Sequence, residues 1–310
     1  MIACIFPGQG SQWVGMGKAL AGAHAACREA FAEADAALDE ALSHLCFEGP
    51  EDRLQLTEHT QPAILASSIA AWRLLAVRGL HPTFVAGHSL GEYSAHVAAG
   101  TLAFGDALRI VRRRGRYMQE AVPVGAGAMA AILGLDAERV TQACTEAAAG
   151  DVVSPANLNA PGQVVIAGSR EAVARACERA KALGAKRAIP LKVSAPFHCA
   201  LMRPAEERLA PELRALTASD PAVPVVANVD AEPKRDAASA VEALVAQVSR
   251  PVRWEDVVRR LASEGVRTYV EVGPGTVLSG LVKKIVPGAT VLATDQDLDG
   301  PAMEALRTRP

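Results

Sequence analysis

The chain lacks the features that would place it in several broad classes at once. Its six cysteines, Cys4, Cys27, Cys46, Cys144, Cys177 and Cys199, are scattered, with no CxxC pair and no Cys/His cluster at metal spacing. They read as reduced packing residues rather than as a redox or zinc motif. No uncharged apolar run reaches the roughly 20 residues of a membrane span. The first apolar stretch ends at Pro7 with no basic residue before it, unlike a signal peptide. A cytoplasmic protein with no membrane contact is expected. Charge of one sign is also lacking: the net charge is −2 and the pI about 6.4, which argues against bulk binding of nucleic acid. Repeats and low-complexity tracts are absent. What remains is a 310-residue chain, half of it hydrophobic, long enough for a large core in one domain or two.

The organising stretch is Phe84-Val85-Ala86-Gly87-His88-Ser89-Leu90-Gly91-Glu92-Tyr93. A short apolar run from Thr83 to Ala86 breaks at a glycine, places one serine at the turn, and restarts after Gly91 with residues that suit a helix. Gly87-x-Ser89-x-Gly91 is the pattern of a nucleophile elbow, in which small residues on both sides let the backbone turn sharply and lift the hydroxyl above the sheet. Ser89 would then stand at a helix N-terminus, where free N–H groups favour developing negative charge. Ser89-x-x-Glu92 also fits a capping box, a reading compatible with the elbow.

Along the chain, Ile2 to Phe6 reads as a buried strand and Pro7-Gly8-Gln9-Gly10-Ser11-Gln12 as the loop leaving it. Helices are expected around residues 17 to 46 and 62 to 78, the second with Thr60 near its cap and Pro62 in its first turn. The elbow helix should run towards Gly100. Between Pro123 and Ser194 the pattern becomes strand (Ala126 to Leu133), helix (Asp136 to Ala149), strand (Val152 to Leu158), the turn Asn159-Ala160-Pro161-Gly162, strand through Gly168, helix (Arg170 to Leu183) and strand (Arg187 to Val193). That βαββαβ order is ferredoxin-like. From Asp220 onward, strands at Val223 to Ala227, Thr268 to Val272 and Thr290 to Ala293 alternate with helices, as in a mostly parallel α/β sheet. The expected organisation is a large α/β domain in two parts, residues 1–122 and 196–310, with a small subdomain inserted at 123–195.

The segment from Asp106 to Glu120 carries five arginines. On a helical wheel Ala107, Ile110, Val111, Tyr117 and Met118 form the apolar face, and Arg109, Arg112, Arg113 and Arg116 fall opposite. Arg114 falls in the middle of the apolar face. An unpaired guanidinium there is costly, so Arg114 needs an anionic partner, either an internal carboxylate or a substrate. Ser89 needs a base. Of the seven histidines, His198 has the best context, in the connection that leaves the small subdomain after Ser194-Ala195-Pro196-Phe197. His24, His44 and His59 sit in helical or loop surroundings, His81 precedes a proline, His96 lies too far along the elbow helix, and His88 should point away from the nucleophile.

Five motifs occur in order: Phe6-Pro7-Gly8-Gln9-Gly10-Ser11-Gln12, Gly87-His88-Ser89-Leu90-Gly91-Glu92-Tyr93-Ser94-Ala95, Gly115-Arg116-Tyr117-Met118-Gln119-Glu120-Ala121, Ala156-Asn157-Leu158-Asn159-Ala160-Pro161-Gly162-Gln163 and Glu271-Val272-Gly273-Pro274-Gly275. Together they resemble the malonyl-CoA:acyl carrier protein transacylases over nearly the whole chain. The resemblance implies a hydrolase-like large domain with a ferredoxin-like insert. It puts the family's nucleophile on Ser89, its base on His198 and its carboxylate-binding arginine on Arg114. It also implies an oxyanion hole from the backbone N–H groups of Gln9 and Leu90, and a backbone carbonyl at Gln247 that orients the histidine. Asn157 and Asn159 match residues near the acyl-CoA channel. Phe197, before the base, resembles the malonyl-selective acyltransferases of polyketide synthases, where fatty-acid transacylases often carry a smaller residue.

The expectation is a ping-pong acyltransferase that takes a malonyl group from malonyl-CoA onto Ser89 and passes it to the phosphopantetheine thiol of acyl carrier protein, with no metal or redox cofactor. Carrier proteins of this kind are acidic, which makes Lys283, Lys284, Arg112 and Arg113 docking candidates. An esterase or thioesterase with the same elbow is one rival, against which Arg114 stands. A non-catalytic docking subunit that keeps the fold is another.

Overall fold

The computed structural model describes residues 1–306, so residues 307–310 of the expected third segment lie outside it. Among the described residues ten strands occur in chain order: β1 (Ile2–Phe6), β2 (Phe84–Gly87), β3 (Gly127–Leu133), β4 (Val153–Ala160), β5 (Gln163–Ser169), β6 (Arg187–Pro190), β7 (Val225–Val226), β8 (Pro233–Lys234), β9 (Thr268–Glu271) and β10 (Thr290–Ala293). They form two sheets. The larger has the order β10-β9-β1-β2-β7-β8, with every pairing parallel except β7 with β8. Its central strand β1 is buried from Ala3 to Phe6, as a parallel strand covered on both faces must be. The smaller sheet is antiparallel, with the order β4-β5-β3-β6, and helices Ala137–Ala148 and Arg170–Ala182 pack with it around a separate apolar cluster that includes Ile132, Val140, Ile166 and Val173.

Helix Thr57–Val77 runs through the large core, and every residue from His59 to Ala71 is buried. A helix apolar nearly all round belongs inside a protein, and its start shows how packing overrides local signals. It begins a turn before the expected cap: Thr60 is already helical, its hydroxyl donating back to the Leu56 carbonyl, and Pro62 sits inside the helix rather than in its first turn. The expected helix at 17 to 46 is instead three helices, Lys18–Ala23, Ala25–Leu38 and Leu42–Glu48, with breaks at His24 and at Asp39 (φ 50°).

Other differences are at the edges. β6 ends at Pro190, three residues short of expectation; it is an edge strand with Arg187 exposed, and Leu191 and Val193 leave it half-exposed. β7 is only two residues long, and the short β8 that pairs with it carries no strand signal in Pro233-Lys234. β4 runs on through Ala160, so the expected four-residue turn narrows to Pro161-Gly162, with Gly162 at φ 69°. Among the described residues no helix is long and apolar enough to cross a membrane.

The parallel register delivers the site. Phe6 of β1 lies opposite Gly87 of β2, so the Gln9 loop and the Ser89 turn leave the same edge of the sheet, and Ala227-Asn228 follows from β7 beside them. Ligands of open parallel sheets lie at this carboxyl end. Here the elbow helix presses directly on the strands. A Cβ on Gly91 would stand 2.0 Å from the Phe6 carbonyl oxygen, and one on Gly87 would stand 1.9 Å from the Gly91 carbonyl carbon. Neither position has room for alanine. Gly91→Ala should therefore destabilise the fold by about 3 kcal/mol or more, at the upper end of overpacking, and a denaturation midpoint within error of wild type would contradict this close approach.

Candidate active site

The elbow turn has the strained backbone that its sequence pattern implies. Ser89 has φ 52° and ψ −109°, a conformation uncommon for any residue but glycine, and His198 also has a positive φ of 58°. The Ser89 peptide is held from behind: its N–H donates to Asn228 Oδ1 at 2.7 Å, while Asn228 Nδ2 donates to the Gly87 carbonyl at 2.7 Å. The capping-box expectation is overturned. Ser89 makes no side-chain cap bond, and Glu92 turns into the core, where its Oε2 accepts from the Asn228 N–H and from Gln247 Nε2. A helix start pressed against strand ends leaves its third residue facing protein rather than its own cap.

Ser89 Oγ and His198 Nε2 are 2.7 Å apart, and His198 Nδ1 is 3.0 Å from the Gln247 backbone oxygen. A carbonyl only accepts, so Nδ1 carries the proton and Nε2 is left with the lone pair facing the serine hydroxyl. Burial pushes the imidazole pKa down to about 3, the Arg114 charge pushes the same way, and the hydrogen bond to the Gln247 carbonyl opposes both. The ring is therefore a neutral proton acceptor at physiological pH.

Arg114, on helix Phe104–Glu120, is 2% exposed. Its Nη1 donates to Gln61 Oε1 at 2.7 Å, and its Nη2 donates to Gln247 Oε1 at 2.8 Å and to Ser89 Oγ at 3.2 Å. These partners are all neutral. Among the described residues no carboxylate is within ion-pair distance of it, so the internal-carboxylate alternative is not realised and the charge faces the cavity. Burial lowers its pKa from the ordinary guanidinium value, against the opposing influence of Tyr93 and Glu92.

The cavity in front of these groups has a volume of about 310 Å³, and Gln9, Ser89, Arg114, Asn157, Phe197 and His198 line it. Leu90, 1% exposed, is not among the lining residues. The backbone N–H groups of Gln9 and Leu90 have no hydrogen-bond partner among the described residues. Gln247 is buried behind the cavity, and Asn159 touches it only through His88, whose Nε2 is 2.8 Å from Asn159 Oδ1. The His88 ring is thus engaged with Asn159 and still forms part of the wall. None of the basic docking candidates lines the cavity. Arg112 is paired with Glu40 and Arg113 with Glu212, while Lys284 Nζ donates to Gln163 Oε1 at 3.0 Å. The exposed cation at the cavity wall is Lys192.

Residues 3–294 match the acyl transferase domain family model. Over 95% of the chain and 96% of the relative, the sequence is 53% identical to the malonyl CoA-acyl carrier protein transacylase of Salmonella typhimurium. The chain belongs to this transacylase family. The structure of an acyl carrier protein S-malonyltransferase from Vibrio cholerae superposes with a TM-score of 0.93 at 49% identity, covering 94% of this chain and 96% of that one. A malonyl-transacylase solved in complex with its type II PKS acyl-carrier protein gives 0.94 at 48% identity, covering 99% and 98%.

Three side chains of this transacylase site escape the sequence reading. Asn228 and Gln61 carry no local motif, and Glu92 carries a misleading one. Only the folded chain brings them to Ser89 and Arg114 from elements far apart in sequence.

His96 matters to stability rather than to the site. It is fully buried on the elbow helix, neither ring nitrogen has a hydrogen-bond partner among the described residues, and burial pushes its pKa down to about 3. The unfolded chain takes up a proton near the ordinary 6.5 while the folded transacylase keeps the ring neutral. Stability is thus complete above that pH and declines as the pH falls below it, by up to about 1.4 kcal/mol per unit for each such group. His96→Leu should lose about 2 kcal/mol less than wild type between pH 7 and pH 5 in denaturant titrations. Equal losses would contradict a neutral buried imidazole.

Proposed function

We propose that this chain is a malonyl-CoA:acyl carrier protein S-malonyltransferase acting through a malonyl-serine intermediate. The observation that carries the reading is Arg114: a buried guanidinium with no carboxylate partner among the described residues, 3.2 Å from the nucleophile in the cavity wall. A neutral ester gives such a charge nothing to do, whereas the free carboxylate of a malonyl group takes it in charge-assisted hydrogen bonds.

The steps follow from the geometry. His198 Nε2 takes the Ser89 proton as Oγ attacks the thioester carbonyl, and the oxyanion gathers the free N–H groups of Gln9 and Leu90. On collapse, the imidazolium returns its proton to the coenzyme A sulfur, which leaves as the thiol. In the second half, His198 takes the proton of the phosphopantetheine thiol, the sulfur attacks the ester carbonyl, and Ser89 Oγ leaves with that proton. Nδ1 stays bonded to the Gln247 carbonyl throughout. A neutral orienter stabilises imidazolium less than a carboxylate would. The exchange is redox-neutral, and protein groups supply every role, so the reading calls for no cofactor. Asn157 and Asn159, the latter through His88, shape the channel wall.

Within this reading the chain is a hydrolase-like domain, residues 1–122 and 196–310, with a ferredoxin-like insert at 123–195, supported by the βαββαβ order and the spatial order β4-β5-β3-β6. Its place is the cytoplasm, where its two substrates meet. A carrier protein of a polyketide synthase is the alternative acceptor, favoured by Phe197 in the cavity wall; comparing fatty-acid and polyketide carriers as acceptors separates the two.

Ser89→Ala should abolish the malonyl adduct seen by mass spectrometry after mixing with malonyl-CoA while leaving the melting temperature near that of wild type. A persisting adduct would overturn the nucleophile.

Arg114→Ala should lower kcat/KM for malonyl-CoA by roughly two to three and a half powers of ten, the consequence of ~3 to 5 kcal/mol for removing one partner of a buried ion pair. Acetyl-CoA has no carboxylate to strand, so its transfer should suffer nothing comparable. The same change removes a cation that holds the His198 pKa down. The acid limb of kcat/KM should therefore move to higher pH in Arg114→Ala, from a wild-type position well below 6.5. A folded variant that keeps its malonyl preference and its pH profile would refute the assignment.

A further inference from the structure

We propose that Glu92 is a positioning residue of this site: one oxygen of its carboxylate fixes the orientation of the Gln247 amide, and through Gln247 and Asn228 it keeps the arginine, the base and the nucleophile in register. The proposal rests on the acyl-transfer reading above and adds to it a residue that touches neither substrate nor reacting atom.

Glu92 is 0% exposed, three residues after the nucleophile. Its Oε2 accepts from Gln247 Nε2 at 2.7 Å and from the Asn228 N–H at 3.0 Å. Gln247 reaches the site three times and Asn228 twice. Gln247 receives Arg114 Nη2 on its side-chain Oε1 at 2.8 Å and His198 Nδ1 on its backbone oxygen at 3.0 Å, and its Nε2 also donates to the Ser89 carbonyl at 2.9 Å. Asn228 holds the Ser89 N–H and the Gly87 carbonyl through the two ends of its own amide.

A primary amide has a donor end and an acceptor end, and the pocket around Gln247 would accept only one orientation. Reversed, its NH₂ would meet the Arg114 guanidinium, donor against donor, and its oxygen would meet Glu92, acceptor against acceptor. Glu92, at 2.7 Å the nearer of the two acceptors of Gln247 Nε2, therefore joins the Ser89 carbonyl in ensuring that Arg114 finds an oxygen. The role is one of acceptance rather than charge. Burial pushes the carboxyl up to about 7, with the Gln247 and Asn228 hydrogen bonds opposing. Its Oε1 has no partner among the described residues, so a proton taken up there leaves Oε2 accepting both bonds. A glutamine at this position offers the same single oxygen.

The test uses Glu92→Ala, which removes the acceptor, Glu92→Gln, which keeps one, and Gln247→Met, which cuts the link to Arg114 but keeps the backbone carbonyl for His198. For each, kcat/KM with malonyl-CoA and with acetyl-CoA is measured with a holo acyl carrier protein, alongside the melting temperature. The malonyl-over-acetyl preference should fall by about ten-fold or more in Glu92→Ala and in Gln247→Met, and Glu92→Gln should recover it to within about three-fold of wild type. If Glu92→Ala does not fold, the other two variants decide. The proposal is overturned if Gln247→Met keeps the wild-type preference, if Glu92→Gln loses as much as Gln247→Met, or if both thioesters fall equally with a lowered melting temperature. A wild-type enzyme that forms no malonyl adduct would instead remove the acyl-transfer reading, an outcome read separately from these ratios.

Discussion

A guanidinium withdrawn from water without a carboxylate beside it is the constraint on which the rest of this site depends. Arg114 is held by neutral oxygens of Gln61 and Gln247, which accept from Nη1 and Nη2 and bring no charge to balance its own, while its Nε has no partner among the described residues. Such a charge is tolerable only where something else supplies the anion or the field is spread over many dipoles. Its influence reaches the base, since the same cation helps to keep His198 neutral. An anion bound at Arg114 offsets that influence, so a bound carboxylate both fills the site and strengthens His198 as an acceptor for the Ser89 proton.

The second constraint is steric. The elbow helix sits so close to the ends of β1 and β2 that Gly87 and Gly91 have no room for a side chain. This compression gives Ser89 its left-handed backbone, turns Glu92 inward, and sets the serine N–H against Asn228. The strained turn and the buried polar network are therefore two aspects of one packing arrangement. Glu92, Asn228 and Gln247 are fully buried, where displaced side chains have no solvent to turn to.

Much of this was legible before folding. Gly87-x-Ser89-x-Gly91 announced the turn because only small residues fit it, and the 3.6-residue period isolated Arg114 because a charge in an apolar stripe has no ordinary reason to be there. The alternation of strands and helices marked the parallel sheet, and the βαββαβ order matched the strands of the antiparallel one. Edges were less legible: β6 ended early and β7 shrank to two residues because strand length there is set by what the neighbour offers. Thr60 and Pro62 misled about the start of a helix whose burial outweighs its local preferences. Glu92 misled most, because a capping box and a buried acceptor have the same spacing in sequence.

The amino-acid sequence by itself determined the chemistry available to this protein: one exposed nucleophile, a histidine after a strand, and an arginine where an apolar residue belongs. Those follow from residue type and short-range period, which need no long-range contact. Only the tertiary structure decided that Arg114 would meet amides rather than a carboxylate, that Gln247 would serve His198 with its backbone and Arg114 with its side chain, and that Asn228 and Glu92 would join them. Residues 61, 92, 114, 228 and 247 come from separate elements, and their hydrogen-bond directions are fixed when parallel strands bring those elements to one edge of the sheet. Local sequence carries donor and acceptor identities, and it cannot say which donor will find which acceptor.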